Sequence, residues 1–315
     1  MRRVLAWLLV VPIGAWVVVR LFGLERGFPM VPLVAFTPLV VLGALAVIAV
    51  AALLRQRAAA AAAAVLAIVL VVLVAPRALG GPSDPDGPAG ARLRVLSANM
   101  HFGFGSADAL VALARRLRPD VLAVQELTPS LARDLDDAGL AELLPERVIY
   151  PEPRGPGIGL YARIPLTRAT APGTRRNPLA FAIARPAGGP VVELGSVHVT
   201  PPYSNQVAVW RADLRVVPQA TPSSRIRILA GDFNATLDHA ELRRLIDSGY
   251  VDAAAEVGAG LRATWPNARR LPPPVTIDHV LADARCGVQE FSVQAIPGTD
   301  HRAVFAELVL PRETR

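Results

Sequence analysis

The chain has 315 residues, a formal charge of +7 and a mean hydropathy of +0.39, too apolar for a disordered chain and more apolar than an ordinary soluble enzyme. Its one cysteine, Cys286, excludes an intrachain disulfide framework, a Cys-rich zinc module and a CxxC redox motif. All 33 basic residues are arginine beside abundant Ala, Pro and Gly, the bias of a GC-rich coding sequence, so the basicity says little about partners.

Residues 4–22 form a 19-residue apolar run interrupted by Pro12 and Arg20, residues 31–54 a 24-residue run without charge, and residues 58–75 an 18-residue run with an alanine-rich start. At about 1.5 Å per residue each crosses a hydrocarbon core of roughly 30 Å, which predicts three transmembrane helices in a membrane domain over residues 1–79. A cleavable signal peptide is the alternative for the first run, but no convincing small-residue cleavage site follows it and two further runs do. Arg2, Arg3, Arg55 and Arg57 outweigh Arg26 and Arg77, which predicts a multi-pass protein of the cytoplasmic membrane with its N-terminus in the cytoplasm and everything after the third run outside. Residues 80–91, rich in Pro, Gly and Asp, read as a linker of flexible reach.

Residues 92–315 suffice for one self-contained domain, and their net charge is only +3. Apolar runs predict strands at 93–98, 120–125, 159–162, 181–184, 191–198, 226–230, 276–281, 288–294 and 303–310, and helical spacing predicts helices at 107–117, 205–217 and 238–247. Many strands with few helices predict a layered α/β or α+β domain. No GxGxxG or GxxxxGK[ST] occurs, so nucleotide cradling of those kinds is unsupported.

The informative polar residues stand at strand ends. Asn99 closes the first strand, Gln125-Glu126 the second and His198 a later one; Asp232 and Asn234 follow Gly231, Asp278 interrupts a strand, and Asp300-His301 precede the last. Neighbouring strand ends converge, so residues distant in sequence can surround one site. An oxygen-rich set of this kind suits Mg²⁺, with Mn²⁺ as the alternative, bound together with a substrate phosphate. Each residue alone also fits a turn or a satisfied core position. His101 and His239 are read as structural, Trp210 and Trp265 as packing residues, and the pairs Arg175-Arg176, Arg243-Arg244 and Arg269-Arg270 as solvated surface.

The ordered set Ser97-Ala98-Asn99, Val124-Gln125-Glu126, residues 159–166, Ser196-Val197-His198, Gly231-Asp232-Phe233-Asn234, Thr264-Trp265, Ile277-Asp278-His279-Val280 and Thr299-Asp300-His301 resembles the endonuclease/exonuclease/phosphatase superfamily. The resemblance runs from about residue 93 to 310. It implies a four-layered sandwich of two mixed sheets flanked by helices, with a divalent-metal phosphohydrolase site at one rim. On the matching positions it implies Glu126 as principal Mg²⁺ ligand, Asn99 ordering metal and phosphate, and Asp300 near the metal. Asp232 would orient or deprotonate water, and Asn234 would hold water or a phosphate oxygen. His301 would act on the phosphoryl oxygen and in acid-base chemistry, oriented by Asp278, with His198 contacting phosphate; whether Asp232 or His301 is the base stays open. Departures are His101, where many nuclease relatives carry an acid or amide, and Tyr161-Ala162 in place of Leu-Ser.

The superfamily includes nucleases, inositol-polyphosphate phosphatases and sphingomyelin-cleaving phospholipases, so the fold leaves the substrate open. The three apolar runs before an outward domain are similar to the actinobacterial membrane phosphatases of the VanJ type, associated with teicoplanin resistance. That likeness implies action on a membrane lipid or lipid-linked phosphate such as undecaprenyl pyrophosphate. A surface-tethered Mg²⁺-dependent nuclease and a phospholipase-type phosphodiesterase are the alternatives; nucleic acid is the less favoured partner because charge and aromatics are sparse. A degenerate, non-catalytic binding domain is disfavoured because every position of the set is filled. Of the rim loops, residues 201–203 are the best lipid-contact candidate, and 271–274 form another.

Overall fold

The computed structural model describes residues 1–85, 89–170, 178–267 and 272–312. The N-terminal part holds helices α1 (Arg2–Phe22), α2 (Met30–Val34), α3 (Thr37–Leu53) and α4 (Arg57–Val74), the last continued by a 3-10 turn over Ala75–Ala78. Among the described residues two helices are long and apolar enough to cross a membrane, Arg2–Phe22 and Arg57–Ala78; the three predicted spans are corrected to these two and a shorter apolar helix, α3. The second run breaks because Pro38 has no N–H for the Val34 carbonyl. The Thr37 hydroxyl donates to that carbonyl at 2.7 Å instead, and the chain turns between α2 and α3.

The bundle carries apolar side chains both inside and outside. Its seams bury small residues, Ala6, Ala44, Ala51, Ala59, Ala63 and Ala67, while Leu8, Val11, Leu42, Leu45, Ile68 and Val72 face outward. Small side chains let helix backbones approach closely, the packing that serves where the surroundings are as apolar as leucine. The alanine run after Arg57 is therefore a packing seam of α4.

The second part contains strands β1 (Ala89–Asn99), β2 (Val121–Gln125), β3 (Glu146–Tyr150), β4 (Ile158–Ala162), β5 (Thr167–Ala169), β6 (Ala180–Ala184), β7 (Val192–His198), β8 (Ile226–Asp232), β9 (Tyr250–Asp252), β10 (Asp278–Asp283), β11 (Gly287–Ala295) and β12 (Arg302–Pro311). Its helices are α5 (Ala107–Leu117), α6 (Pro129–Asp137), α7 (Leu140–Leu143), α8 (Val207–Val216), α9 (Ala240–Ile246) and α10 (Ala253–Glu256). Two six-stranded mixed sheets form, ordered β11-β12-β1-β2-β4-β3 and β5-β6-β7-β8-β10-β9. One core lies between the sheets (Val95, Val121, Leu160 against Leu194, Ile228, Val280), a second under α5 to α7, and a third under α8 and α9. This is the layered α/β sandwich the sequence predicts.

All nine predicted strands form. The unpredicted ones, β3, β5 and β9, are sheet edges, two of them only three residues long, where one-sided burial leaves no apolar run to read. Helix α5 has its predicted bounds: Ser106 caps it by accepting from the Ala109 N–H at 3.2 Å, and Arg118 ends it in the left-handed region.

The two parts are joined by buried charge. Asp238, just before α9, accepts from Arg20 Nε at 2.8 Å and from Arg77 Nη2 and Nη1 at 2.8 and 2.9 Å, so the ends of α1 and α4 share one carboxylate. Glu25 accepts from the Ala240 N–H at 2.5 Å, and Arg243 donates to the Arg20 carbonyl at 3.0 Å. Val31 of α2 packs into the core under α8 and α9, and His239 Nε2 donates to its carbonyl at 3.0 Å. The expected flexible linker is docked where it is described: Ser83 bonds Val288 and Gln289 of β11, and a Cβ at Gly80 would lie 2.0 Å from the Glu256 carbonyl oxygen. Sheet structure begins at Ala89, ahead of the predicted domain start at residue 92.

Candidate active site

Strand register assembles the site. His198, Asp232 and Asp278 are direct partners across β7, β8 and β10, so three residues spread over 81 positions of sequence stand side by side. Gly231 makes the row possible, because a Cβ there would lie 1.9 Å from the Val197 carbonyl oxygen. On the facing sheet Asn99 pairs with Gln125 at the ends of β1 and β2, and Glu126 then turns inward at φ 56°. A non-glycine residue held in the left-handed region is backbone strain of the kind that collects at functional sites.

The two sheet ends are stitched together. Ser97 Oγ donates to Gln125 Oε1 at 3.2 Å, and Gln125 Nε2 donates to Ser196 Oγ at 3.0 Å. Asn99 Nδ2 donates to Glu126 Oε1 and Asp232 Oδ2, both at 3.0 Å, while Asn99 Oδ1 accepts from the His101 N–H at 3.0 Å. His301 enters ahead of β12, tied by Thr299, which accepts from the His301 N–H at 3.1 Å and donates to the Asn99 carbonyl at 2.8 Å. Both Asp278 oxygens hold His301 Nδ1, at 3.1 and 2.9 Å, leaving Nε2 facing Asp232 Oδ2 at 3.7 Å. Thr264 Oγ1 accepts from the Ile277 and Asp278 N–H groups and sets the start of β10.

Burial and charge separate the titrating groups. Burial raises the Asp232 carboxyl, helped by the Asp278 and Glu126 carboxylates and opposed by His301 and the Asn234 N–H. Burial alone would lower His301, but Asp278 and Asp232 overrule it and hold its imidazolium well above the usual histidine range. His198 is lowered by burial against the pull of Glu126, so it stays neutral, with Nε2 3.8 Å from both Glu126 Oε1 and Asp232 Oδ2. Pairs of groups pushed in different directions are what acid-base chemistry needs.

The donor set fits a divalent cation. Two buried carboxylates, Glu126 and Asp232, converge on one amide NH₂, that of Asn99, which donates to both. A hard cation would neutralise both. Asp232, Asp278 and His301 also lie close enough together to share one ion. Asp300 faces His101 Nδ1 at 2.8 Å and accepts from Trp265 Nε1 at 3.0 Å.

Asn234, left-handed at φ 47°, donates its N–H to Asp232 Oδ1 at 2.8 Å and its amide to Val199 O and Asp232 Oδ2 at 2.8 and 3.1 Å. It braces Asp232 and also lines the cavity. Trp210 is a packing residue whose indole donates to the Asn234 carbonyl at 3.0 Å, and His239 is buried, bonded to the Thr236 N–H and the Val31 carbonyl, at the edge of the cavity.

Three expectations need correction. His101 and Trp265 belong to the site wall, where both meet Asp300; each stands beside a motif residue, Asn99 or Thr264, but the contact with Asp300 is made across the fold. Arg243 is partly buried and pushed down to about 10, chiefly by burial and by Arg20, and is no solvated surface charge. Arg175-Arg176, Arg269-Arg270 and Leu271 lie outside the described residues. Sequence reasoning also missed Arg154, a left-handed arginine that lines the site; a lone cation within the Pro/Gly-rich turn before β4 was the available signal.

These groups line one cavity of about 800 Å³. Glu126, His198, Asp232, Asn234, Asp300 and His301 stand on its polar side; Phe102, Pro201, Pro202, Tyr203 and Trp265 line it elsewhere, and Pro32, Ala35 and Phe36 reach it from the N-terminal helices.

The arrangement has counterparts. The sequence profile of the Endonuclease/Exonuclease/phosphatase family matches residues 96–301. Among solved structures, D. rerio TDP2 humanized by 14 mutations is 20% identical with a TM-score of 0.57, the likeness covering 69% of this chain and 98% of that one. D. rerio TDP2 complexed with a single-strand DNA product is also 20% identical, at a TM-score of 0.55, covering 69% and 99% of the two chains. An endonuclease/exonuclease/phosphatase from Beutenbergia cavernae DSM 12333 is 17% identical with a TM-score of 0.54, covering 70% and 72%. At such identities the likeness establishes the fold. No curated protein matches the sequence.

Proposed function

The chain belongs to the Endonuclease/Exonuclease/phosphatase family, whose members hydrolyse phosphoester bonds with a divalent metal, and on that premise we propose a membrane-anchored phosphohydrolase of the outer face of the cytoplasmic membrane. Its substrate is a lipid-linked phosphate or pyrophosphate, with undecaprenyl pyrophosphate the first to try. The observation that carries this reading is the Asp238 junction, which docks the site-bearing domain onto two helices of spanning length. A phosphate anchored in the bilayer is then the nearest abundant substrate.

Glu126 and Asn99 would hold Mg²⁺ or Mn²⁺, which when bound supplies Lewis-acid neutralisation of phosphoryl charge. Asp232 orients the attacking water and accepts its proton, a role that its raised proton affinity and the bracing by Asn234 and Asn99 favour. His301, fixed by Asp278 at Nδ1, presents its Nε2–H to a phosphoryl oxygen, where charge develops in the transition state. His198 and Arg154 extend that cradle, and Asp300 with His101 closes the rim.

The test is Mg²⁺-dependent phosphate release from undecaprenyl pyrophosphate by the full chain in detergent, beside nicking of plasmid DNA, with Asp232→Ala and His301→Ala as blanks. Lipid turnover without nicking, lost in both variants, is the expected result. Nicking without lipid turnover overturns the lipid reading in favour of a tethered nuclease.

A further inference from the structure

A phosphohydrolase site needs only polar groups around its phosphate, yet a large part of this cavity is apolar, and part of its wall does not come from the catalytic sandwich. Pro32 lies within α2 and Ala35 directly follows it, Phe36 sits at the break before α3, and all three are half-buried at the cavity. The break exists because Pro38 cannot donate to Val34, so the sequence stops the helix where it meets the site. The segment is also pinned: Val31 is fully buried in the core under α8 and its carbonyl accepts from His239. A wall held on both sides presents a defined shape to what binds there.

We propose that Pro32, Ala35 and Phe36 form the tail-binding wall of the active site, so that the enzyme selects phosphorylated amphiphiles by the apolar chain next to the phosphate. The phosphate end lies among His198, Asp232 and His301, and the chain runs along the helical wall toward the outward-facing leucines and valines of the bundle. The inference rests on the phosphohydrolase reading for the polar end and adds the residues that take the apolar end. Burying an apolar chain against one aromatic side chain is worth about tenfold in selectivity.

The experiment uses the full chain in detergent and a prenyl pyrophosphate carrying a photoreactive diazirine in its tail, followed by peptide mapping of the adduct. Adducts within residues 31–36, competed by geranylgeranyl pyrophosphate at lower concentration than by inorganic pyrophosphate, are expected. Adducts confined to other segments, or none, overturn the proposal. In parallel, the ratio of kcat/KM for geranylgeranyl over dimethylallyl pyrophosphate is expected to fall about tenfold in Phe36→Ser, and to keep its wild-type value in Leu42→Ser, an outward-facing site that controls for partition into detergent. An equal fall in both variants counts against the wall. Crosslinking at 31–36 without turnover overturns the hydrolase reading and keeps the wall; turnover of both pyrophosphates without that crosslink does the reverse.

Discussion

Replacing Asp238 with alanine tests the junction that places the catalytic domain against the helices. The Asp238 side chain is fully buried and its two partners nearly so, with side-chain exposures of 6% for Arg20 and 7% for Arg77. Removing the carboxylate leaves two guanidinium groups buried without a counter-ion, and breaking a buried pair in this way costs about 3–5 kcal/mol. Arg77→Ala or Arg20→Ala alone is expected to cost less, because the carboxylate keeps the other arginine. The readouts are thermal unfolding of the full chain in detergent and the rate of proteolysis between α1 and α3, which Arg243, Glu25 and Val31 tie down alongside the ion pairs. Acid should act like the mutation. Burial alone would raise the Asp238 carboxyl, but hydrogen bonds and charge from Arg77 and Arg20 hold it below the usual range. Its stabilisation is therefore complete above about pH 4, the unfolded carboxylate value, and is lost as pH falls through the depressed folded value. Unchanged melting and proteolysis in Asp238→Ala would refute the view that this carboxylate holds the two parts together.

Asp232→Asn and His301→Asn are each expected to lower kcat by about 10²–10⁴-fold with little change in melting temperature, as loss of a proton-transfer group does; steady-state phosphate release checks both, and near-normal turnover in either removes it from the assigned role. Asp278→Asn should free His301 to titrate nearer the ordinary histidine range, since the Asp278 carboxylate is the foremost group raising it. Activity should then fall as pH rises through neutrality, where wild type holds, and an unshifted pH profile would contradict the clamp. Treatment with EDTA is expected to abolish turnover and lower the melting temperature by leaving Glu126 and Asp232 facing each other, with recovery on adding Mg²⁺ or Mn²⁺. Activity that survives chelation would count against a cation at that position.

The residues of the site were legible because the signal is local. Asn99, Glu126, His198, Asp232 and Asp278 each interrupt or follow an apolar run, and a polar residue at a strand end marks itself against that background whatever the rest of the chain does. Their order along the chain, with GDFN ahead of IDH and DH, carried the family. Asn234 shows the limit: its motif position was plain, but its hydrogen bonds to Asp232 depend on a left-handed backbone and on the Val199 carbonyl just past the end of β7.

Sequence by itself determined the central strands, the apolar character of the N-terminal helices and the identity of the polar cluster, because hydrophobic period and strand-end polarity are properties of a few consecutive residues. Tertiary structure decided how those parts meet. The edge strands take their conformation from a neighbour, and Asp300 meets His101 and Trp265 across the fold. Arg20 and Arg77 find Asp238 across more than 160 positions of chain, and Phe36 reaches the cavity because α2 is anchored under α8. Such contacts arise only when separate elements pack, and no window of sequence contains both partners.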